Sequence, residues 1–270
     1  MLPDTTDPSP AVGKPPAVTA AQNPAVLTRW PDATDDDDVD DELATLYGWP
    51  DDLGPPVVRA NMIASLDGGS TVDGRSAGLG NAQDERLFSI LRDLADVILV
   101  GSGTVRAERY GGVVLDARRR ARRQRWGLSP AAPPIAVVTA RGLDPESPLF
   151  TETDTPPVVI TTEIAADRVP DGITKIITGH DRVNLSVAVS ALGVAGHRRV
   201  HCEGGPALLA SLIADNLLDE CCLTIAPLLL GERSTALVPV DLRDPVRWTL
   251  SGAMIGGSHL FTRYRRAVGR

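Results

Sequence analysis

From residue 57 onward the chain alternates short β-branched runs with stretches whose apolar residues recur every three or four positions, the pattern of an α/β domain. Strands are predicted at "VVRANMIA" (57–64), "DVILVG" (96–101), "IAVVT" (135–139), "PVVIT" (157–161), "KIIT" (175–178), "RRVHCE" (198–203) and "CCLTIAPLLL" (221–230). "WTLSGAMIG" and "HLFTRYRR" follow, and read as an antiparallel pair joined through Gly256-Gly257-Ser258. Helices are predicted over 82–95, 186–195 and 205–215. Early strands separated by crossovers and a late hairpin together predict a mixed, mainly parallel sheet flanked by helices, with a C-terminal antiparallel hairpin. Before residue 57 the pattern is different. Residues 1–28 are rich in Pro, Ala and Thr with little to bury, which predicts a disordered arm. Residues 29–56 form an acidic extension in which "DDELATLYGWP" reads as a short helix, with Leu43, Leu46 and Tyr47 on one face and Gly48 and Pro50 at its end. Residues 57–270 make up the main domain.

Charge sharpens this division. The net charge of −8 is concentrated at the start, where the first 56 residues carry 12 acids against two bases, and the rest of the chain is near neutral. A near-neutral body gives no electrostatic reason to expect nucleic acid or a membrane as partner. Asp35 to Asp38 lack the interleaved ligands of a calcium loop and read as a solvated charge run. "RRRARRQR" (118–125) holds six arginines in eight positions. It has no aromatic or glycine interleaving for base stacking, so it reads as a solvated or flexible loop, or as a partner for the acidic N-terminal segment. Three cysteines and four histidines without ligand spacing give neither a disulfide framework nor a metal site. No signal-peptide pattern and no apolar stretch of about 18 residues is present, and a cytoplasmic setting is expected.

Candidate chemistry gathers at three glycine-containing strand exits, "SLDGG", "VGSGTV" and "CEGGPALL". Ligands of α/β sheets collect at the carboxyl ends of strands, and small residues let them approach backbone amides. "VGSGTV" offers amides and the Thr104 hydroxyl to a phosphate, or is a tight turn. In "CEGGPALL", Pro206 suits the first position of a helix whose N-terminus would attract an anion, although the same glycines also serve close packing. Asp67, next to flexible glycines, is either a turn residue or a proton-handling group whose pKa burial would raise.

The three exits in this order, with "LLRDLADVILVGSGTV" between the first two and "LLDECCLTIAPLLLG" after the third, resemble the reductase domain of bacterial riboflavin biosynthesis. That domain is the C-terminal part of the bifunctional deaminase–reductase, with a fold similar to dihydrofolate reductase, and the resemblance spans residues 57–265. It implies NADPH-dependent reduction of 5-amino-6-(5-phosphoribosylamino)uracil, with hydride passing to C1′ of the opened sugar, and a homodimer. By motif, the resemblance makes Asp67 the catalytic residue and gives substrate contacts to Ser76, Arg92 and Glu203. It gives cofactor contacts to Ile63, Gly78, Gly101, Thr104 and Glu108, and to Gly204, Gly205, Pro206, Ala207, Leu208, Leu209, Ala210 and Ser211. Thr139 and Arg141, after "IAVVT", would hold the 2′-phosphate that distinguishes NADPH from NADH.

Two departures qualify the resemblance. Family members continue the threonine turn with Asp-Asp-Pro and a downstream Arg, whereas this chain reads "TVRAERYGGVVLDARRR". Glu108 stands in for the first acid, but Arg109-Tyr110-Gly111 replaces the rest, which opens an alternative as a dihydrofolate or other pterin-like reductase. No H-x-E with P-C-x-x-C precedes the domain, so zinc-dependent deamination is not expected of these residues. A third reading is a nonenzymatic nucleic-acid-binding protein using the arginine run; it predicts salt-sensitive binding.

Overall fold

A computed structural model of the protein describes residues 27–267, apart from 33, 34, 73, 77, 240, 241 and 243. Most of the arm expected over residues 1–28 lies outside the described residues. The centre of the molecule is one ten-stranded sheet. In chain order its strands are β1 (Leu27–Arg29), β2 (Val57–Ser65), β3 (Val97–Gly101), β4 (Ile135–Val138), β5 (Val158–Thr161), β6 (Thr174–Ile177), β7 (Arg199–Cys202), β8 (Glu220–Ala226), β9 (Trp248–Gly256) and β10 (His259–Arg266). Their spatial order is β1-β9-β10-β8-β2-β7-β3-β4-β5-β6. From β8 through β6 every neighbouring pair is parallel, while β10 runs antiparallel to both β8 and β9. The expected mixed sheet with a C-terminal hairpin is therefore what forms.

The predicted helices appear as α2 (Ala82–Asp93), α6 (Leu185–Val194) and α7 (Pro206–Ala214). Side-chain alternation along β3 shows how the strand is buried on both faces: Val97 and Leu99 join the core under α6 and α7, and Ile98 and Val100 face the opposite cluster with Val105 and Leu149. Strand β8 stops at Ala226 rather than at residue 230, because the next residue is Pro227, which cannot donate to a ladder.

The acidic extension corrects the sequence reading in its details. Helix α1 spans Asp36–Leu46, several residues earlier than expected, and the Asp run forms its first turn. Asp35 caps it by accepting from Asp37 N at 2.7 Å, and acids at this end suit the helix dipole. Val39, Leu43 and Tyr47 pack with Leu87, Ile90 and Phe261 in one core. Arg59 of β2, fully buried, anchors the far end of α1 by donating to the Tyr47 and Gly48 carbonyls at 2.6 and 3.1 Å, and it pairs with Glu220.

The arginine run is a helix as well, α4 (Ala117–Arg125), not a loop. Asp116 caps it, accepting from Arg119 N at 2.7 Å. Arg118 pairs with Asp37 and Asp40, Arg119 with Asp93, Arg120 with Asp154, Arg122 with Asp40 and Asp93, and Arg125 with Asp41, while Arg123 donates to the carbonyls of Asp93, Ala95 and Ser129. The alternative expectation, that the run lies against the acidic segment, is the one realised. The reading of a nucleic-acid face loses its support, since these donors are already engaged inside the molecule. Two short helices that the periodicity did not reveal, α3 (Ser102–Ala107) and α5 (Pro148–Thr151), complete this face. Among the described residues no helix is long and apolar enough to cross a membrane, and no cluster of His, Cys, Asp and Glu is arranged to hold a metal ion.

Candidate active site

The three glycine exits meet because β2, β7 and β3 are consecutive neighbours with parallel direction, so their carboxyl ends lie side by side. The β8 exit flanks them on one side and the β4 exit on the other. At the β2 exit, Asp67 is exposed rather than buried. Its carboxylate accepts from Ser65 Oγ at 2.5 Å, from Gly231 N at 2.7 Å and from Leu230 N at 3.1 Å. The Ser65 hydroxyl foremost, then the Gly231 and Leu230 amides, hold its pKa down at about 2. This corrects the expectation of a burial-raised acid: the three donors outweigh what desolvation there is, and Asp67 stays ionised across the physiological range. It also ties the β2 exit to the loop after β8, a connection reinforced by Leu66 N donating to Leu228 O at 2.8 Å. Gly69 permits this approach, since a Cβ there would lie 2.1 Å from Ser234 Oγ.

At the β7 exit the two residues expected to meet the substrate meet each other. Glu203 accepts from Arg92 Nε at 2.6 Å and from Arg92 Nη2 at 2.7 Å, a fork-to-carboxylate pair. Arg92 comes from the last turn of α2, and its guanidinium lies 4.4 Å from the Phe88 ring centre. Tyr110 Oη adds a third bond to Glu203, at 2.8 Å. Burial pushes the Glu203 carboxyl upward, but the charge and hydrogen bonds of Arg92 outweigh it and keep Glu203 ionised. His201, fully buried in β7, has Nε2 3.6 Å from Glu203 and no hydrogen-bond partner on either ring nitrogen among the described residues. Burial lowers its pKa to about 4 against the pull of Glu203, so the ring is neutral.

The side that the motifs assign to a nucleotide is built from backbone. Gly101 N donates to Gly204 O at 2.8 Å, which seats the β3 and β7 exits against each other. A Cβ on Gly205 would lie 2.6 Å from Thr104 Oγ1, so only glycine allows this packing. Helix α7 starts at Pro206 with Gly205 as its cap and no side chain accepting from its first amides. Those free amides fit an anionic group such as a pyrophosphate. The expected run from Gly205 to Ser211 narrows accordingly: Ala207 is exposed near the helix start, but Leu208, Leu209 and Ala210 point into the core, and Ser211 donates its hydroxyl back to Ala207 O at 3.0 Å.

Ser76 and Glu108, assigned to different ligands by motif, are joined here. Glu108 Oε1 accepts from Ser76 N at 2.8 Å and from Ser76 Oγ at 3.1 Å. Gly78 sits in the exposed turn beyond, and Ile63 is half-buried on β2 opposite Thr224 of β8. At the β4 exit, Thr139 uses its hydroxyl internally, donating to Gly142 O at 3.0 Å and accepting from Arg141 N at 3.2 Å. Thr139 is thus a turn-former, buried at 2% exposure, and Arg141 is the exposed cation of the pair. Sequence reasoning did not single out Ser65, Tyr110, His201 or the loop after β8 as parts of the site. The only available signal was the departure of "ERYGG" from the family pattern, which marked Tyr110 without giving it a role.

Comparison with known proteins identifies the family and agrees with the fold. The model of the RibD C-terminal domain family matches residues 56–260. A 2,5-diamino-6-ribosylamino-4(3H)-pyrimidinone 5′-phosphate reductase of Archaeoglobus fulgidus is 32% identical over 68% of this chain and 85% of its own length. A protein of the same name from Methanothermobacter thermautotrophicus is 27% identical over 77% of this chain and 97% of its own. The crystal structure of a pyrimidine reductase-like protein from Corynebacterium diphtheriae superposes with a TM-score of 0.72 at 26% identity, covering 84% of this chain and 99% of that one. Fold and site define an α/β oxidoreductase that works with a nicotinamide cofactor. The chain belongs to the RibD C-terminal domain family, the reductases of riboflavin biosynthesis.

Proposed function

We propose that the chain reduces a phosphoribosylaminopyrimidine with NADPH, opening its sugar and converting it to the ribitylamino compound. Overall, one hydride and one proton are added to the substrate, and NADPH leaves as NADP⁺. The observation that carries this reading is the convergence of the α7 start, whose first amides no side chain accepts from, the Gly101–Gly204 hydrogen bond and the Arg92–Glu203 pair on neighbouring strand ends. A bound nicotinamide would supply the hydride and solvent water the proton; the chain positions the reactants.

In this reading the Gly205 cap and the first amides of α7 hold the pyrophosphate, with Thr104 alongside, and Arg141 meets the 2′-phosphate. Arg92 receives the substrate's phosphate, because its Nη1 has no acceptor among the described residues once Glu203 has taken Nε and Nη2. Asp67 acts from its ionised form: a carboxylate with a pKa near 2 cannot donate a proton at neutral pH, but it can accept a hydrogen bond and steady positive charge developing on the substrate. The relatives' names point to the 2,5-diaminopyrimidinone, while the motif resemblance points to the uracil, and the two substrates differ at the 2-position of the ring. Steady-state NADPH oxidation with each compound, and with dihydrofolate, tests the proposal. Turnover of one or both pyrimidines and none of dihydrofolate is expected; turnover of dihydrofolate alone would overturn it. A homodimer working in the cytoplasm is part of the same proposal, and sedimentation of the purified chain would reveal a monomer if the first part is wrong.

A further inference from the structure

Arg109 and Tyr110, which follow Glu108, occupy a place beside Arg92 and Glu203 to which the family resemblance assigns no role. Arg109 has a φ of 52°, and Tyr110 N donates to Val105 O at 3.0 Å, so the chain after α3 doubles back. This turn brings Tyr110 Oη to Glu203 Oε2 at 2.8 Å and its ring to 5.4 Å from the Arg92 guanidinium. Arg92 therefore lies between two aromatic rings, Phe88 and Tyr110, and is gripped from behind by a carboxylate. Glu203 is left with 1% side-chain exposure and Arg92 with 18%. A carboxylate engaged by three donors and sealed from solvent offers no acceptor to a substrate. Arg92 Nη1, by contrast, has no acceptor among the described residues.

We propose that Tyr110 is a positioning residue that sets substrate specificity by committing Glu203 to Arg92, so that Arg92 is presented as a receptor for a phosphate monoester. Two physical effects carry it. The Tyr110 hydroxyl occupies the remaining lone pair of Oε2, which stops the carboxylate from turning to capture the third guanidinium nitrogen. It also disperses part of the charge of the ionised Glu203, so an incoming phosphate meets a weaker competing anion behind the arginine. Loss of the hydroxyl leaves the ring wall in place and removes only the lock.

This inference rests on the proposed phosphorylated substrate, and the test separates the two. The full-length chain and its Tyr110→Phe variant are compared on the phosphorylated pyrimidine, on the same pyrimidine lacking the phosphate, and on ribose 5-phosphate binding by calorimetry. For Tyr110→Phe, the KM of the phosphorylated pyrimidine and the Kd of ribose 5-phosphate should each rise about tenfold, the scale of a lost hydrogen bond to a charged group. The dephosphorylated pyrimidine should keep its KM, kcat should move less than about twofold, and NADPH affinity should hold, because none of these uses the lock. Arg92→Ala should remove ribose 5-phosphate binding in the same assay. Equal KM shifts with and without the phosphate, an unchanged KM, or ribose 5-phosphate binding that survives Arg92→Ala would each overturn the assignment. A wild-type chain that turns over neither pyrimidine would sink the functional reading, while the ribose 5-phosphate measurements would still decide the role of Tyr110.

Discussion

Two of the places where arginine meets buried carboxylate, the α1–α2–α4 face and the strand exits, are built to different ends. Along α1, α2 and α4, the buried Asp40 and Asp93 each serve several arginines: Asp40 takes Arg86, Arg118 and Arg122, and Asp93 takes Arg119 and Arg122. In the cleft a single arginine, Arg92, is held by a single carboxylate, Glu203, with Tyr110 completing the carboxylate's shell. The first arrangement satisfies charge from every direction and joins the acidic extension to the body. The second satisfies the anion and leaves the cation with donors to spare. Saturated networks hold a fold together; a cation left one partner short is a receptor.

Removing Asp93 would test this contrast most severely. Asp93→Ala would strand the 5%-exposed Arg122 without its central partner, and breaking a buried pair costs about 3–5 kcal/mol. A fall in melting temperature on the order of 10 °C is expected, with NADPH oxidation per folded molecule changed much less. If activity collapsed while the melting temperature held, the clamp and the cleft would be one unit. The second test reaches the cleft directly. Asp67→Asn should lower kcat by about 10²-fold, the scale of a lost electrostatic contact to developing charge. The wild-type pH–rate profile should show no limb from Asp67 between pH 5 and 8, since its pKa lies near 2, and a limb that disappears in Asp67→Asn would contradict an ionised role. The same low value makes the bonds from Ser65, Leu230 and Gly231 an acid-sensitive latch. Its contribution to stability is complete above the ordinary Asp value of 3.8 and is lost as pH falls through about 2.

Smaller effects separate cofactor from substrate contacts. Arg141→Ala should narrow the preference for NADPH over NADH about tenfold, and an unaltered ratio in competing-cofactor kinetics would move 2′-phosphate recognition elsewhere. Glu108→Gln keeps an oxygen for Ser76 N and Oγ, so a change of roughly twofold in substrate KM is expected, near the limit of what a retained neutral hydrogen bond forfeits.

The parts legible in the sequence were those whose burial is apolar. Strands β2 to β5 and β7 and helices α2, α6 and α7 follow from runs of Val, Ile and Leu, because packing against a sheet leaves that periodicity in the residues themselves. Helix α4 was not legible for the opposite reason. Its buried residues, Arg122 and Arg123, are paid for by carboxylates and carbonyls brought from distant segments, and a run of arginines has no apolar stripe to announce them. Strand β1 was hidden too: three residues gain their place by pairing with Ala253–Ile255, more than two hundred positions later. In the candidate site, the glycines and Asp67 drew attention because strand exits carry local signals. The lowered pKa of Asp67 was not, since two of its donors are backbone amides of the loop after β8, whose approach only the fold determines. Arg92 and Glu203 were identified singly, but nothing local revealed that they bind each other.

The pairing of β1 with β9 also bears on how the chain must be handled. β9 is nine residues long and would be the outermost strand of the sheet without β1, with a row of N–H and C=O groups open to the matching edge of another molecule. Leu27–Arg29 covers three of those residues and guards the edge against strand-to-strand aggregation. Starting the chain at residue 56, where the family match begins, would strip this guard along with α1, so an enzyme trimmed there for crystallisation or engineering would trade a cleaner boundary for a stickier one.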